Sequence, residues 1–250
     1  MLTQIKLPNI VAQGKTSHVL MGEKNPLLSL TLLASTYLMF LSGASYSEEW
    51  MPVHEEPKHR LVFENNQAMI LDVNLPPGYV SLYHKHQLDT LYVTISGTQV
   101  WAQPMGGEKR DADVKTGDLR FSSDNHGLPH IHRVGNVGTA PFHVIAVGVK
   151  TDASNNVTPI EGDTSGLELV DEKLNASVYR ISLKPGEKSG LHKHKLPFTK
   201  VYLSAGEMRN DEGKPASVAA GEFLWEDSGV SHRYENTGEE SLDIIEIQAR

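Results

Sequence analysis

Residues Gly78 to Gly97 read GYVSLYHKHQLDTLYVTISG, and the reading of this stretch decides the fold. A glycine opens it, His84 and His86 follow with Lys85 between them, a β-branched and aromatic run comes next, and Gly97 closes it. Val93, Thr94 and Ile95 favour strand, and on a strand residues i and i+2 face the same way. Two imidazoles therefore point at one spot, which is half of a metal site.

A lone His-Lys-His reads equally well as an exposed polar strand face. The pattern is repeated, however. Gly186 to Gly206 reads GEKSGLHKHKLPFTKVYLSAG, with His192 and His194 again behind a glycine and five residues. A third histidine follows in each half in similar company, His132-Arg133-Val134-Gly135-Asn136 and His232-Arg233-Tyr234-Glu235-Asn236. A three-histidine set occurring twice favours metal coordination at His84, His86 and His132 and at His192, His194 and His232.

The composition fits this reading. Of 250 residues, 39% are hydrophobic and 22% charged, ordinary for a soluble globular protein. The 21 glycines and 13 prolines lie between short apolar runs, the texture of turn-rich β structure. A net charge of -8 argues against nucleic acid or an anionic membrane surface as partner. The absence of cysteine excludes disulfides, thiolate metal sites, a cysteine nucleophile and a lipid anchor on cysteine.

Leu27 to Leu41, LLSLTLLASTYLMFL, is an uncharged apolar run. Its 15 residues are short for a membrane span, which needs about 20, but suit a signal-peptide core. Lys24 precedes it and small residues from Ser42 to Ser47 follow, so residues 1–47 are expected to be a signal region cut near Ala44 or Ser47, with Met21 as the true start. The mature chain is then exported, to the periplasm or outside the cell, and meets a membrane only through that segment. A buried helix or an uncleaved anchor is the competing reading.

From Glu56 onward, strand-like runs alternate with turn signals such as Pro76-Pro77-Gly78, Gly106-Gly107 and Gly117-Asp118, and no stretch has convincing helical periodicity. Residues 151–166, TDASNNVTPIEGDTSG, read as a linker. The same order of strands then returns, with Gly186 and His192 each 108 residues after Gly78 and His84. The expectation is an all-β duplication, one domain over 57–150 and a second over 167–250.

On these residues the chain resembles the cupin superfamily, in its two-domain bicupin form. The first cupin motif is matched by Gly78, His84, His86 and Gly97 and by Gly186, His192, His194 and Gly206; the second by Gly117, His132 and Asn136 and by Gly221, Gly229, His232 and Asn236. The stretch DLRFSSDNHGLPHI in the first half is longer than the pattern, and Asp227 takes a proline's place in the second. The resemblance implies two tandem jelly-roll β-barrels and up to two divalent transition-metal ions per chain, Fe, Mn, Ni, Cu or Zn. It also implies a small-molecule substrate or ligand, and a homodimer formed by sheet contacts.

Counting seven residues back from Gly97 and Gly206 places Thr90 and Thr199 where cupins usually carry a glutamate ligand. Each site is therefore expected to offer three neutral imidazoles, and glutamate at either threonine should tighten metal binding. This resembles the three-histidine cupin dioxygenases, and it suits a decayed site equally. His130 reads as a pocket or surface histidine and His126 as a loop residue. Asp89 should point away from the histidines, Tyr83 and Tyr92 are core residues or phenols near a substrate, Asn136 and Asn236 form turns, and Trp101 and Trp225 belong to the barrel cores. The leading expectation is a metal-dependent oxidoreductase on a small organic molecule; a non-catalytic binding module and an isomerase or lyase are the alternatives, and no general base is identified.

Overall fold

Two strands, Phe142–Val149 and Leu242–Ala249, each run through the middle of a five-stranded sheet; the first is apolar at nearly every position, and the second is apolar except at Asp243, Glu246 and Gln248. The computed structural model describes residues 49–123, 130–150, 160–173, 175–209 and 213–249. In the first half the strand order is His59–Glu64, Ala68–Leu75, Phe142–Val149, Asp89–Ser96, Leu119–Ser122. In the second it is Leu167–Lys173, Ala176–Leu183, Leu242–Ala249, Phe198–Tyr202, Phe223–Glu226. The same order twice is the duplication made physical. Among the described residues the helical element is a single 3-10 turn, Val53–Glu55.

The largely apolar character of these strands follows from burial on both faces. Ile145 and Val147 face outward and join Ile70, Leu91 and Val93 against Val178, Val201, Ile245 and Ile247 of the other half. The alternate residues, Val144 and Ala146 in one half and Ile244 in the other, face the interior of their own barrel. The two five-stranded sheets thus pack back to back through one shared core. Asn175 extends that contact by donating from Nδ2 to Asp89 Oδ2 at 2.8 Å, and Phe63 stacks on Trp225 at 5.4 Å between ring centroids.

Opposite these sheets each barrel is closed by shorter strands. In the first half Met51–Pro52, His84–Lys85, Ile131–Asn136, Gln99–Pro104 and Arg110–Asp113 form one sheet. In the second, Ile160–Gly162, His192–His194 and Ser231–His232 form one three-stranded sheet, and Pro215–Val218, Gly206–Arg209 and Glu235–Asn236 another. The chain enters both histidine stretches through the same turn. Tyr79 N donates to Pro76 O at 3.0 Å and Glu187 N to Lys184 O at 2.9 Å, with Gly78 and Gly186 at φ +79°. Proline then glycine in the two central positions is a type II turn, which needs positive φ at the second.

Several sequence expectations need correction. The predicted linker ends sooner than expected, because Ile160–Gly162 pairs antiparallel with His192–His194. The first half starts ahead of residue 57, because Met51 pairs in parallel with His84. Trp101 is buried as expected, but it packs on Gly135 beneath Lys109 and does not line the cavity that its neighbour Val100 lines. Trp225 lies at the junction of the halves against Phe63. The apolar run Leu27 to Leu41, Met21, His126 and residues 151–159 lie outside the described residues.

Asn136 and Asn236 are turn anchors, built alike. Asn236 Nδ2 donates to Leu183 O and Glu240 O at 2.9 and 2.8 Å, and its Oδ1 accepts from Gly238 N at 2.9 Å. Asn136 repeats this with Leu75 O, Ala140 O and Gly138 N. Asn236→Ala strands the buried carbonyl of Leu183 and the part-buried one of Glu240 and should cost about 2–3 kcal/mol, a fall in Tm of roughly 5–10 °C, read by thermal melting followed by circular dichroism.

Candidate metal centres

Strand pairing brings the histidines together. His84 pairs directly with His132, and His192 with His232, while His86 and His194 follow two residues on and share the face. The ligand atoms of His84, His86 and His132 lie within 4.8 Å of one another, and so do those of His192, His194, His232 and Glu246. The fourth member of the second group is a carboxylate that the sequence motifs do not mark.

The hydrogen bonds settle which nitrogen faces inward. His84 Nδ1 lies 2.9 Å from Leu82 O, His192 Nδ1 3.1 Å from Gly190 O, and His194 Nδ1 2.7 Å from Gln248 Oε1; His232 Nδ1 makes a longer contact of 3.4 Å to Val230 O. A carbonyl oxygen only accepts, so these Nδ1 atoms carry the hydrogens, a tautomer assigned from the partners. Each Nε2 is left with a lone pair aimed into the cluster. Holding the outer nitrogen in this way is how ligating histidines are oriented.

In the second half these lone pairs meet an anion. Glu246 Oε2 is 3.3 Å from His192 Nε2 and 3.1 Å from His194 Nε2, and Oε1 is 2.9 Å from His232 Nε2 and 2.5 Å from Tyr234 Oη. All four groups are buried. Lone pairs converging on a carboxylate in a dry interior require a cation among them, either a metal ion or protons on the imidazoles. Burial opposes ionisation of Glu246, but hydrogen bonding with His192, His194 and His232 outweighs it and holds the carboxyl well below the usual carboxylate range. The donor set, three imidazoles and one carboxylate, suits a divalent transition metal.

The first half offers the same three imidazoles without the acid. His84 Nε2 is fully buried with no hydrogen-bond partner, and His86 Nε2 sits 3.2 Å from His132 Nε2. An orphaned buried nitrogen beside two close imidazole nitrogens fits a shared metal ion. The outer nitrogens again have partners: His86 Nδ1 is 3.2 Å from Tyr92 Oη, and His132 Nδ1 is 2.9 Å from His130 Nε2. Behind His84 stands His59, its ring 4.4 Å away and its Nδ1 2.5 Å from Glu56 Oε2. Burial would raise the Glu56 carboxyl, but hydrogen bonds from His59, the Lys58 amide and Tyr79 hold it at about 2.

The expectation that both halves lack an acid is therefore overturned for the second half, and for a definite reason. Gln99 and Glu207 occupy the same place in the fold, accepting from Val137 N and Thr237 N respectively, and they lie 108 residues apart. The uniform offset makes Phe198 the counterpart of Thr90. Gly206, from which Thr199 was counted, sits one position beyond the counterpart of Gly97. Thr199 alternates with Phe198 and so faces the shared core with Val201, with its Oγ1 buried and unpaired. Phe198 stacks on His194 at 3.9 Å between ring centroids. Thr90 donates to Leu88 O. The acid comes from the last strand instead, at Glu246. Pairing of Phe142 with Leu75 and of Leu242 with Leu183 aligns the two last strands, so Ala146 is the first-half counterpart of Glu246.

The comparisons with known proteins agree with this architecture. Residues 179–248 match the family model described as cupin domain. The fold is that of a cupin. Among curated relatives, the oxalate-binding protein of Thermotoga maritima is 41% identical over 69 residues, 27% of this chain and 57% of that protein, so this chain matches little more than half of that relative's length. AerE from Microcystis aeruginosa superposes with a TM-score of 0.54 at 11% identity, over 78% of this chain and 98% of that one. Oxalate decarboxylase from Bacillus subtilis gives 0.51 at 15% identity, over 73% and 68%. At such identities these likenesses carry the fold alone.

Two outcomes follow. Glu246→Gln should weaken the second centre about a hundredfold, one ligand's share of the ~10–16 kcal/mol of a buried four-ligand site, with the first centre unchanged in a competition titration against a chromophoric chelator. In metal-free protein, burial and the neighbouring His59 depress His84 from 6.5 to about 3, and burial lowers His86 and His132 well below 6.5. The unfolded chain then binds protons that the folded one refuses, so stability is full above pH 6.5 and falls as pH drops from there toward about 3. Chemical denaturation of the apo-protein at stepped pH reads this loss, and occupancy of the first centre should fall over the same range.

Proposed function

We propose that this cupin binds a small organic molecule at the first-half metal centre and acts on it as a metal-dependent oxidoreductase, the second-half centre having a structural role. One observation carries the assignment: a cavity of about 350 Å³ opens onto His86 and His132 in the first barrel, within the range typical of small-molecule pockets, ~300–1,000 Å³. The corresponding space in the second half is occupied by Glu246, Tyr234, Phe198 and Met208, all buried.

His84, His86 and His132 would hold the ion, with the backbone carbonyl of Leu82, the Tyr92 hydroxyl and His130 orienting their rings. When bound, a divalent ion supplies a Lewis acid with positions open toward the cavity. Tyr92 and His130 are both engaged with ligand histidines, so among the described residues neither is a free acid or base; a substrate that arrives ionised suits this site best. That same scarcity supports a second reading, a binding module without turnover. The oxalate binding named for the Thermotoga relative favours an organic acid as the ligand. Export through the apolar run Leu27 to Leu41 is part of the proposal, on its length and flanks alone.

Metal analysis of untagged protein should find two metal atoms per chain, falling to one in His132→Ala, with His232→Ala removing the other. Oxygen uptake on a panel of organic acids should vanish in His132→Ala. Saturable binding of such acids without any turnover would leave the binding module as the function.

A further inference from the structure

The two barrels share a fold and a uniform register, so their interiors are comparable position by position. Strand pairing makes Thr94 the counterpart of Tyr202, Val100 of Met208, Val134 of Tyr234 and Ala146 of Glu246. At each of these four positions the first half has the smaller side chain. The second barrel is filled by Tyr202, Met208 and Tyr234 packed against Ile181, Leu183, Leu242 and Ile244. In the first, Thr94, Val100, Val134 and Ala146 all line the cavity.

That cavity has two chemically different ends. Beside the metal ligands lie Tyr92, His130 and Arg120; Arg120 pairs across the sheet with Tyr92, whose hydroxyl meets His86, and both line the cavity. Further along the barrel the wall is apolar: Val73 faces Val144 and Leu75 faces Phe142 on adjacent strands. The lining also includes Asp113 and Asp118, both exposed and both held by Lys115, through its side chain and its amide respectively. They disfavour a second carboxylate away from the histidines. The space, room for roughly ten water-sized groups, exceeds what a bare dicarboxylate fills.

We propose that the first barrel selects a monoanionic organic acid with a branched or aromatic carbon body. Its carboxylate lies at the histidine end near Arg120, and its carbon body rests on the Val73, Leu75, Phe142 and Val144 wall. Thr94, Val100, Val134 and Ala146 create the room, and oxalate is a poor ligand because it leaves that wall wet. This rests on the reading of the first centre as the working site.

The test is calorimetric titration of full-length, zinc-loaded protein with 4-methyl-2-oxopentanoate, phenylpyruvate and oxalate, alongside metal analysis of every sample. The carbon-bearing acids should bind at least about tenfold tighter than oxalate. Ala146→Glu and, separately, Thr94→Tyr should abolish that preference while two metals per chain remain. Arg120→Gln, a change at an exposed residue, should weaken all three acids about tenfold. Oxalate binding as tightly as the larger acids, or filled-barrel variants that keep their preference, would overturn the proposal while leaving the metal centre standing. A first centre that takes up no zinc would instead overturn the functional reading beneath it.

Discussion

Both centres depend on hydrogen bonds that point away from them. Leu82 O, Gly190 O and Gln248 Oε1 each take the Nδ1 hydrogen of a histidine, which turns the Nε2 lone pair inward. A buried nitrogen lone pair with nothing to accept is costly, so these bonds commit the interior to a cation. The β-scaffold exists around that commitment: strand pairing sets His84 beside His132 and His192 beside His232, and the type II turns at Gly78 and Gly186 deliver the chain to them.

From one architecture the halves diverge by side-chain volume and by one carboxylate. In the second, Glu246 faces three imidazoles, Phe198 stacks over His194, and Tyr234 closes the space with its hydroxyl on the carboxylate. Every ligand there is buried, which suits slow metal exchange and a contribution to stability. In the first, alanine stands where glutamate would be, and the volume released becomes the cavity beside His86 and His132. The sheets of the two barrels pack back to back through a shared apolar core, so a metal bound in the second barrel would also support the wall against which the first is built.

Much of this was legible in the sequence. The alternation of strands with turns, the HxH spacing and the 108-residue repeat lead to two β-barrels and to six histidines that the fold gathers into two clusters. Asn136 and Asn236 were readable as turn formers, and Asp89 as pointing away from the histidines; it meets Asn175 across the junction. Glu246 was not readable from the motifs, because it lies on the final strand, 14 residues past His232 and outside both histidine motifs. One signal for it exists: Leu242 to Gln248, LDIIEIQ, is a largely apolar strand, and of its two acids Glu246 sits inside the apolar run, where a buried carboxylate demands a partner. The Thr199 assignment failed because it was anchored on Gly206, which register shows to be displaced by one position from the counterpart of Gly97; a slip of one residue on a strand reverses the face. The cavity was invisible because it arises from what four side chains lack, which emerges only when the two barrels are compared in register.

The central claim is that one chain holds a closed and an open metal centre. Mn(II)-loaded protein challenged with excess chelator, with released metal followed by its electron spin resonance, tests it most directly. Two phases of equal amplitude are expected, the fast one absent from His132→Ala and the slow one accelerated in Glu246→Gln. A single phase releasing both ions together, unchanged by Glu246→Gln, would contradict the account.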